Sequence, residues 1–197
     1  MKALLLFTIF LYTHSYCQTG NSQSLLDTVL KNQSGLFIHS KPIVITRLDK
    51  KEMWFYFENV RDFSNRKLDT LMFSEIIDNT KDSDTTNWRD DELKNSLLVN
   101  SREEDISKKY LIEKFRLNDK KQEKFYIKQI KGFNSTESVD RNLFYISRPV
   151  FDNSKTFAII ETDNGHSYLG GGGNITLYQL QGDNTWKEIG IILNWRY

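Results

Sequence analysis

A chain of 197 residues with 27 Lys and Arg against 26 Asp and Glu is long enough to bury one substantial core and too evenly charged to act through a strong field of either sign. The charges also alternate, as in Lys50-Lys51-Glu52 and Arg102-Glu103-Glu104-Asp105, which excludes the cationic footprint of a nucleic-acid binder. A single cysteine, Cys17, excludes an internal disulfide framework and a Cys-ligated zinc site.

The first seventeen residues carry an address. Lys2 precedes an uninterrupted apolar run from Ala3 to Tyr12, and small side chains follow at Ser15 and Cys17, the three-part layout of a secretory signal peptide. The run makes about 15 Å of helix, half the ~30 Å of a bilayer core. The expected products are a signal peptide over residues 1–17 and a mature single domain over 18–197 with balanced charge, no cysteine and no transmembrane segment. The predicted location is periplasmic or extracellular. A lipid anchor on Cys17 is the alternative, and it fits less well because Tyr16 and His14 stand where that pathway favours small and aliphatic residues.

Along the mature chain, Leu25, Leu26, Val29 and Leu30 have the spacing of one helical face over residues 23–32, with Gly35 as a stop signal. The β-branched run Ile43-Val44-Ile45-Thr46 predicts a strand over 42–48, and the short aromatic run 53–57 predicts another. Helical spacing returns over 68–78, with Leu71, Met72 and Ile76. A polar stretch, 79–87, leads to a predicted helix over 90–99 with Leu93, Leu97 and Leu98 inward. Ser101 and Glu104 form a Ser-x-x-Glu capping box, predicting a helix that carries Ile106, Tyr110 and Phe115.

After residue 118 strand signals dominate: 125–130, 143–147, then a meander of 156–162, 166–169, 175–180 and 186–195. Its joints are the turn signals Asp152-Asn153, Asp163-Asn164-Gly165 and Gly182-Asp183-Asn184. In the last strand Ile189, Ile191, Leu193 and Trp195 alternate with Gly190, Ile192, Asn194 and Arg196, which predicts one apolar face. Helices early and strands late give an α+β fold, a helix-rich N-terminal part packed on a C-terminal antiparallel β-meander.

The segment from Ile146 to Ile160, the glycines Gly170 to Gly173, Trp186 and Trp195 resemble the C-terminal half of small exported proteins of Bacteroidota. The Cys17-Gln18 boundary and, more faintly, Trp88-Arg89-Asp90-Asp91-Glu92-Leu93 fit the same group. The resemblance covers about the last fifty residues. It implies an exported protein of that lineage and assigns no activity and no catalytic residues.

Three constellations offer chemistry. Gly170, Gly171, Gly172 and Gly173 form a glycine-rich segment that lacks the Lys-Ser/Thr and the following helix of a phosphate loop; it suits a bulge, a wide connection or the close approach of a ligand. Glu161, Asp163 and His166 surround the Asn164-Gly165 turn, where a carboxylate beside an imidazole supports general-base work, metal binding or merely a solvated hairpin tip. Asp82, Asp84, Thr86 and Asp90 fall at positions one, three, five and nine of a calcium loop, but Leu93 occupies the twelfth position where a bidentate Glu belongs. The basic run Lys120-Lys121, Lys124, Lys128, Lys131 is interleaved with Phe125, Tyr126, Ile127 and Ile130; it reads as a patch for an anionic polymer or as the solvated side of a half-buried segment. His39 has no acidic neighbour in sequence, and no Gly-x-Ser-x-Gly is present.

The sequence therefore predicts an exported, non-catalytic binding domain whose partner is a protein or a small ligand, without cofactor, metal or nucleic acid. The alternative is a small exported hydrolase acting through Glu161, Asp163 and His166 beside the glycine segment.

Overall fold

A computed structural model describes residues 22–31, 36–61, 68–117, 119–165 and 170–197. The predicted signal peptide, Cys17, Gly35, His166 and the predicted strand 166–169 lie outside the described residues. Among the described residues five α-helices accompany a seven-stranded sheet: α1 over 22–31, α2 Met53–Val60, α3 Thr70–Asn79, α4 Lys108–Phe115 and α5 Lys120–Ser135, with β1 Phe37–His39, β2 Leu97–Val99, β3 Leu143–Ile146, β4 Val150–Phe151, β5 Phe157–Gly165, β6 Gly171–Leu180 and β7 Trp186–Arg196. The strand order is β2-β1-β3-β5-β6-β7, with β4 paired beside β3 on the same edge of β5. The fold is α+β with its main sheet in the C-terminal part, as expected. The sheet is mixed rather than wholly antiparallel, because β1 runs parallel to both β2 and β3.

Alternation along β5 and β6 builds two cores. Phe157, Ile159, Ile175 and Leu177 face α2 and α3, meeting Tyr56, Val60, Phe73 and Ile76. Ala158, Ile160 and Tyr178 face the other way, toward Leu25, Leu26 and Val29 of α1. A third cluster closes the β1–β3 end, where Leu97, Val99 and Leu143 meet Leu111 of α4 and Ile130 and Phe133 of α5. Each buried leucine, isoleucine or phenylalanine contributes about 1.5–3 kcal/mol by leaving water.

Several local expectations give way to tertiary pairing. Residues 42–48 make no strand; Ile43 alone bridges Ser147. Residues 53–57 begin helix α2, because Tyr56 and Val60 repeat at i, i+4 and turn inward while Trp54 and Phe55 stay exposed. Residues 90–96 form turns, and Leu97 and Val99 alternate into β2 beside β1. The Ser101–Glu104 box closes a turn: the Glu104 N–H donates to the Ser101 carbonyl at 3.3 Å, and the Glu104 carboxylate accepts from the Asn100 N–H at 3.1 Å. The helix starts later, where Ser107 caps the Tyr110 N–H at 3.1 Å. The predicted strand 125–130 lies inside α5, whose inward Ile130 and Phe133 follow helical spacing.

At the far edge β7 departs from strict alternation. The register against β6 slips twice, between Ile175/Thr176 and between Leu177/Tyr178. These bulges turn Ile192 into the core at 0% exposure and Ile191 out to solvent at 42%. The predicted turn at Asp163-Asn164-Gly165 is instead strand, pairing with Gly173, Gly172 and Gly171.

Candidate functional site

The glycine run is not a loop. Gly171, Gly172 and Gly173 are the first three residues of β6, all paired to β5 and the last two also to β7, while Gly170 immediately precedes the strand. The apolar residues that seat α1, α2 and α3 occupy the other ends of β5 and β6, so the glycine end presents a different chemistry on each face.

One face gathers Glu161 and Asp163 of β5. A side chain at Gly173 would place its Cβ 2.3 Å from Cζ2 of Trp195, so glycine is what lets the Trp195 indole lie flat across β6. From there its Nε1–H donates to Oδ2 of Asp163 at 3.3 Å. The Tyr197 hydroxyl donates to the same oxygen at 3.0 Å and accepts from Nη2 of Arg47 at 3.2 Å. Arg47 stacks over the indole, its Cζ 4.2 Å from the ring centroid, and brings Nε to 3.4 Å from Oε1 of Glu161. Arg47 comes from the irregular segment between β1 and α2.

Glu161 is the most perturbed carboxyl of this group. It is 3% exposed, and its Oε2 has no hydrogen-bond partner among the described residues. Burial pushes its pKa up to about 7, against the pull of Arg47 and with a further push from Asp163. Its backbone is clamped by buried Ser147, which accepts from the Glu161 N–H at 2.9 Å and donates its own N–H to the Glu161 carbonyl at 2.8 Å.

The opposite face forms an open groove of about 670 Å³ over Gly172. Cross-strand register sets its walls: Asn164 opposes Gly172, Gly172 opposes Arg196, and Asn174 opposes Asn194. Asn174 is oriented by two hydroxyls, accepting at Oδ1 from Thr162 Oγ1 at 3.1 Å and from Thr176 Oγ1 at 2.8 Å. With its oxygen occupied, its amide N–H groups are the end left for a ligand. Asn164 also lines the groove, but its amide oxygen is buried and has no partner among the described residues. Among the described residues no carboxylate lines the groove, and Ile191 supplies an apolar edge.

The sequence-flagged residues thus separate. Glu161 and Asp163 share a face; Gly171, Gly172 and Gly173 floor the groove and seat the indole. The calcium set does not converge. Asp82 ends an exposed 3-10 turn, and Asp84 accepts from the Thr86 N–H at 2.8 Å, which holds its carboxyl below the usual range. The Thr86 carbonyl takes Nη2 of Arg148 at 3.2 Å, and Asp90 takes Lys114 at 2.5 Å and the Tyr110 hydroxyl at 2.7 Å. Among the described residues no three His, Cys, Asp or Glu side chains gather as metal ligands. His39 stacks on Tyr145 with centroids 5.0 Å apart.

Arg47, Asn174, Asn194 and Tyr197 escape sequence reasoning. Arg47 and Tyr197 are 150 residues apart, and no local pattern joins them. Among the described residues no helix is long and apolar enough to cross a membrane. No protein-family model, curated protein or solved structure matches the chain.

Proposed function

We propose that this chain is an exported, non-catalytic binding domain of the Bacteroidota type, and that it holds a neutral, hydroxyl-rich ligand of the saccharide class in the groove over Gly172. One observation carries the reading: Asn174, its oxygen engaged by Thr162 and Thr176, is fixed as a donor in a groove lined by Asn164, Asn194 and Arg196 and, among the described residues, free of carboxylates. Saccharide hydroxyls donate and accept, and amide side chains answer both needs. A peptide ligand would seek unpaired strand backbone, whereas Gly172 and Gly173 are paired on both edges. Export rests on the N-terminal pattern of Lys2, the apolar run and Cys17.

The second reading is a small exported hydrolase, and Glu161 favours it: a buried carboxyl with a pKa near 7 is suited to general acid–base work. That carboxyl is 3% exposed and paired with Arg47, which weighs against it.

The experiment is a thermal melt of residues 18–197 against oligosaccharides, cell-wall fragments and peptides. A ligand at a hundred times its dissociation constant adds about 2.7 kcal/mol, a rise of roughly 5–10 °C for a chain of this size. Saccharide-class shifts that persist in Glu161→Gln support the binding reading. Turnover of any of these compounds that Glu161→Gln abolishes supports the hydrolase.

A further inference from the structure

A second cleft, of about 620 Å³, opens between α1 and α5, and none of its lining residues lines the groove over Gly172. Its walls combine apolar and aromatic side chains with the polar Asn95, Ser96 and Gln129. Leu30 comes from α1, Leu36 from the entry to β1, and Phe125 and Tyr126 from α5. The Tyr126 ring is fixed by stacking on Phe115, with centroids 4.6 Å apart, and Phe125 meets it edge-on at 5.4 Å. Phe125 is nevertheless 58% exposed, so a large aromatic surface stands open beside the cleft.

The charged residues in the lining are two lysines and one aspartate. Lys31 follows Leu30 on α1, and Lys94 reaches the cleft from the turn before β2. On α5, Lys121 and Lys128 stand four residues before and three residues after Phe125, the spacing that places side chains on one helix face. Among the described residues none of these four lysines pairs with a carboxylate, whereas Lys108, Lys109 and Lys114 nearby all do. Among the described residues the one acid in the lining is Asp27, whose carboxylate accepts from Nε2 of Gln23 at 3.0 Å. The lysines of α5 are exposed and none of them lines the cleft, to which the helix contributes Phe125, Tyr126 and Gln129; the cleft has the size that small ligands fill.

We propose that this cleft binds a small amphiphilic anion, a compound with a planar or branched apolar body and one carboxylate or sulfonate. The body would lie against Phe125, Tyr126, Leu30 and Leu36, and the anionic group would meet Lys31 and Lys94. Volume favours a small molecule over a polymer, and the uncompensated ammonium groups favour an anion over a neutral body.

The probe is 2-naphthoate, compared with neutral 2-naphthylmethanol by isothermal titration on residues 18–197. The expected result is saturable one-to-one binding of the acid, weakened by added salt, with the alcohol weaker and insensitive to salt. The Lys31→Glu/Lys94→Glu variant, altered only at exposed positions, should weaken the acid by about tenfold, or ~1.4 kcal/mol, and leave the alcohol unchanged. Phe125→Ala should weaken both. Absence of saturable binding overturns the proposal, as does equal affinity for acid and alcohol in the parent protein. Binding of phosphatidylglycerol vesicles or of heparin in preference to 2-naphthoate also overturns it. Because the salt and alcohol comparisons use the unaltered protein, the test stands even if the double variant folds poorly.

Discussion

Trp195 and Asp163 are joined across two strands: the indole of β7 crosses β6 above Gly173 and donates to the β5 carboxylate at 3.3 Å. This span couples the last residues of the chain to the middle of the sheet. It also explains why a glycine, which packs poorly in a strand, stands at position 173.

Gly173→Ala tests that span. Its methyl would sit 2.3 Å from the indole and 2.4 Å from the Thr162 carbonyl, so the ring must lift. The expected cost is about 1–3 kcal/mol in a urea titration, with a change in tryptophan fluorescence. Gly182→Ala, where nothing lies within 4 Å of the added carbon, should leave both unchanged.

Glu161 gives stability a definite pH dependence. Its folded pKa of about 7 lies above the ordinary 4.5, so the protonated group favours the fold. That contribution is complete below about pH 4.5 and is lost as pH rises through 7. Glu161→Gln, which mimics the protonated state, should flatten this part of the stability curve and exceed the parent by up to about 3 kcal/mol above pH 8. Urea titrations across pH 5–9 read this directly; identical slopes for parent and variant would contradict the account.

Arg141 ties the 101–105 turn to the end of α5. It is 6% exposed; Nη1 donates to the carbonyls of Arg102 and Glu104, Nε to that of Thr136, and Nη2 to the Asn134 carbonyl and to the Asp105 carboxylate. Arg141→Ala removes a buried guanidinium from five part-buried hydrogen bonds and should cost about 3 kcal/mol. Arg141→Lys should recover little of it, because an ammonium cannot reproduce the planar fork. Denaturant midpoints of the two variants decide the point.

Calcium should not stabilise the protein. Asp84 and Asp90 already satisfy a backbone N–H and Lys114, so melting temperatures in calcium and in EDTA should agree. A calcium-dependent rise lost in Asp84→Asn would contradict that assignment.

What could be read from the sequence follows a physical line. Helices α1 and α3 and strands β3, β5, β6 and β7 announce themselves because their buried faces have local periodicity. Residues 53–57 and 125–130 did not, since short aromatic runs suit either period and only packing decides. Leu97 to Val99 became β2 because β1 offered a parallel partner, information held sixty residues away. At the site, Glu161, Asp163 and the glycines were visible as residue types, but their meaning was not. Asp163 and Gly173 are cross-strand partners, and Arg47 reaches Glu161 from a segment whose β-branched pattern suggested a strand.

The central claim is that the groove over Gly172 is a binding site. The most direct measurement is the saccharide melt repeated on Asn194→Trp, which fills the groove from an exposed position and leaves the Trp195 face intact. The account predicts a ligand-dependent rise in the parent protein that disappears in Asn194→Trp while the unliganded melting temperature stays the same. An undiminished rise in Asn194→Trp, or no rise with any saccharide in the parent, would contradict it.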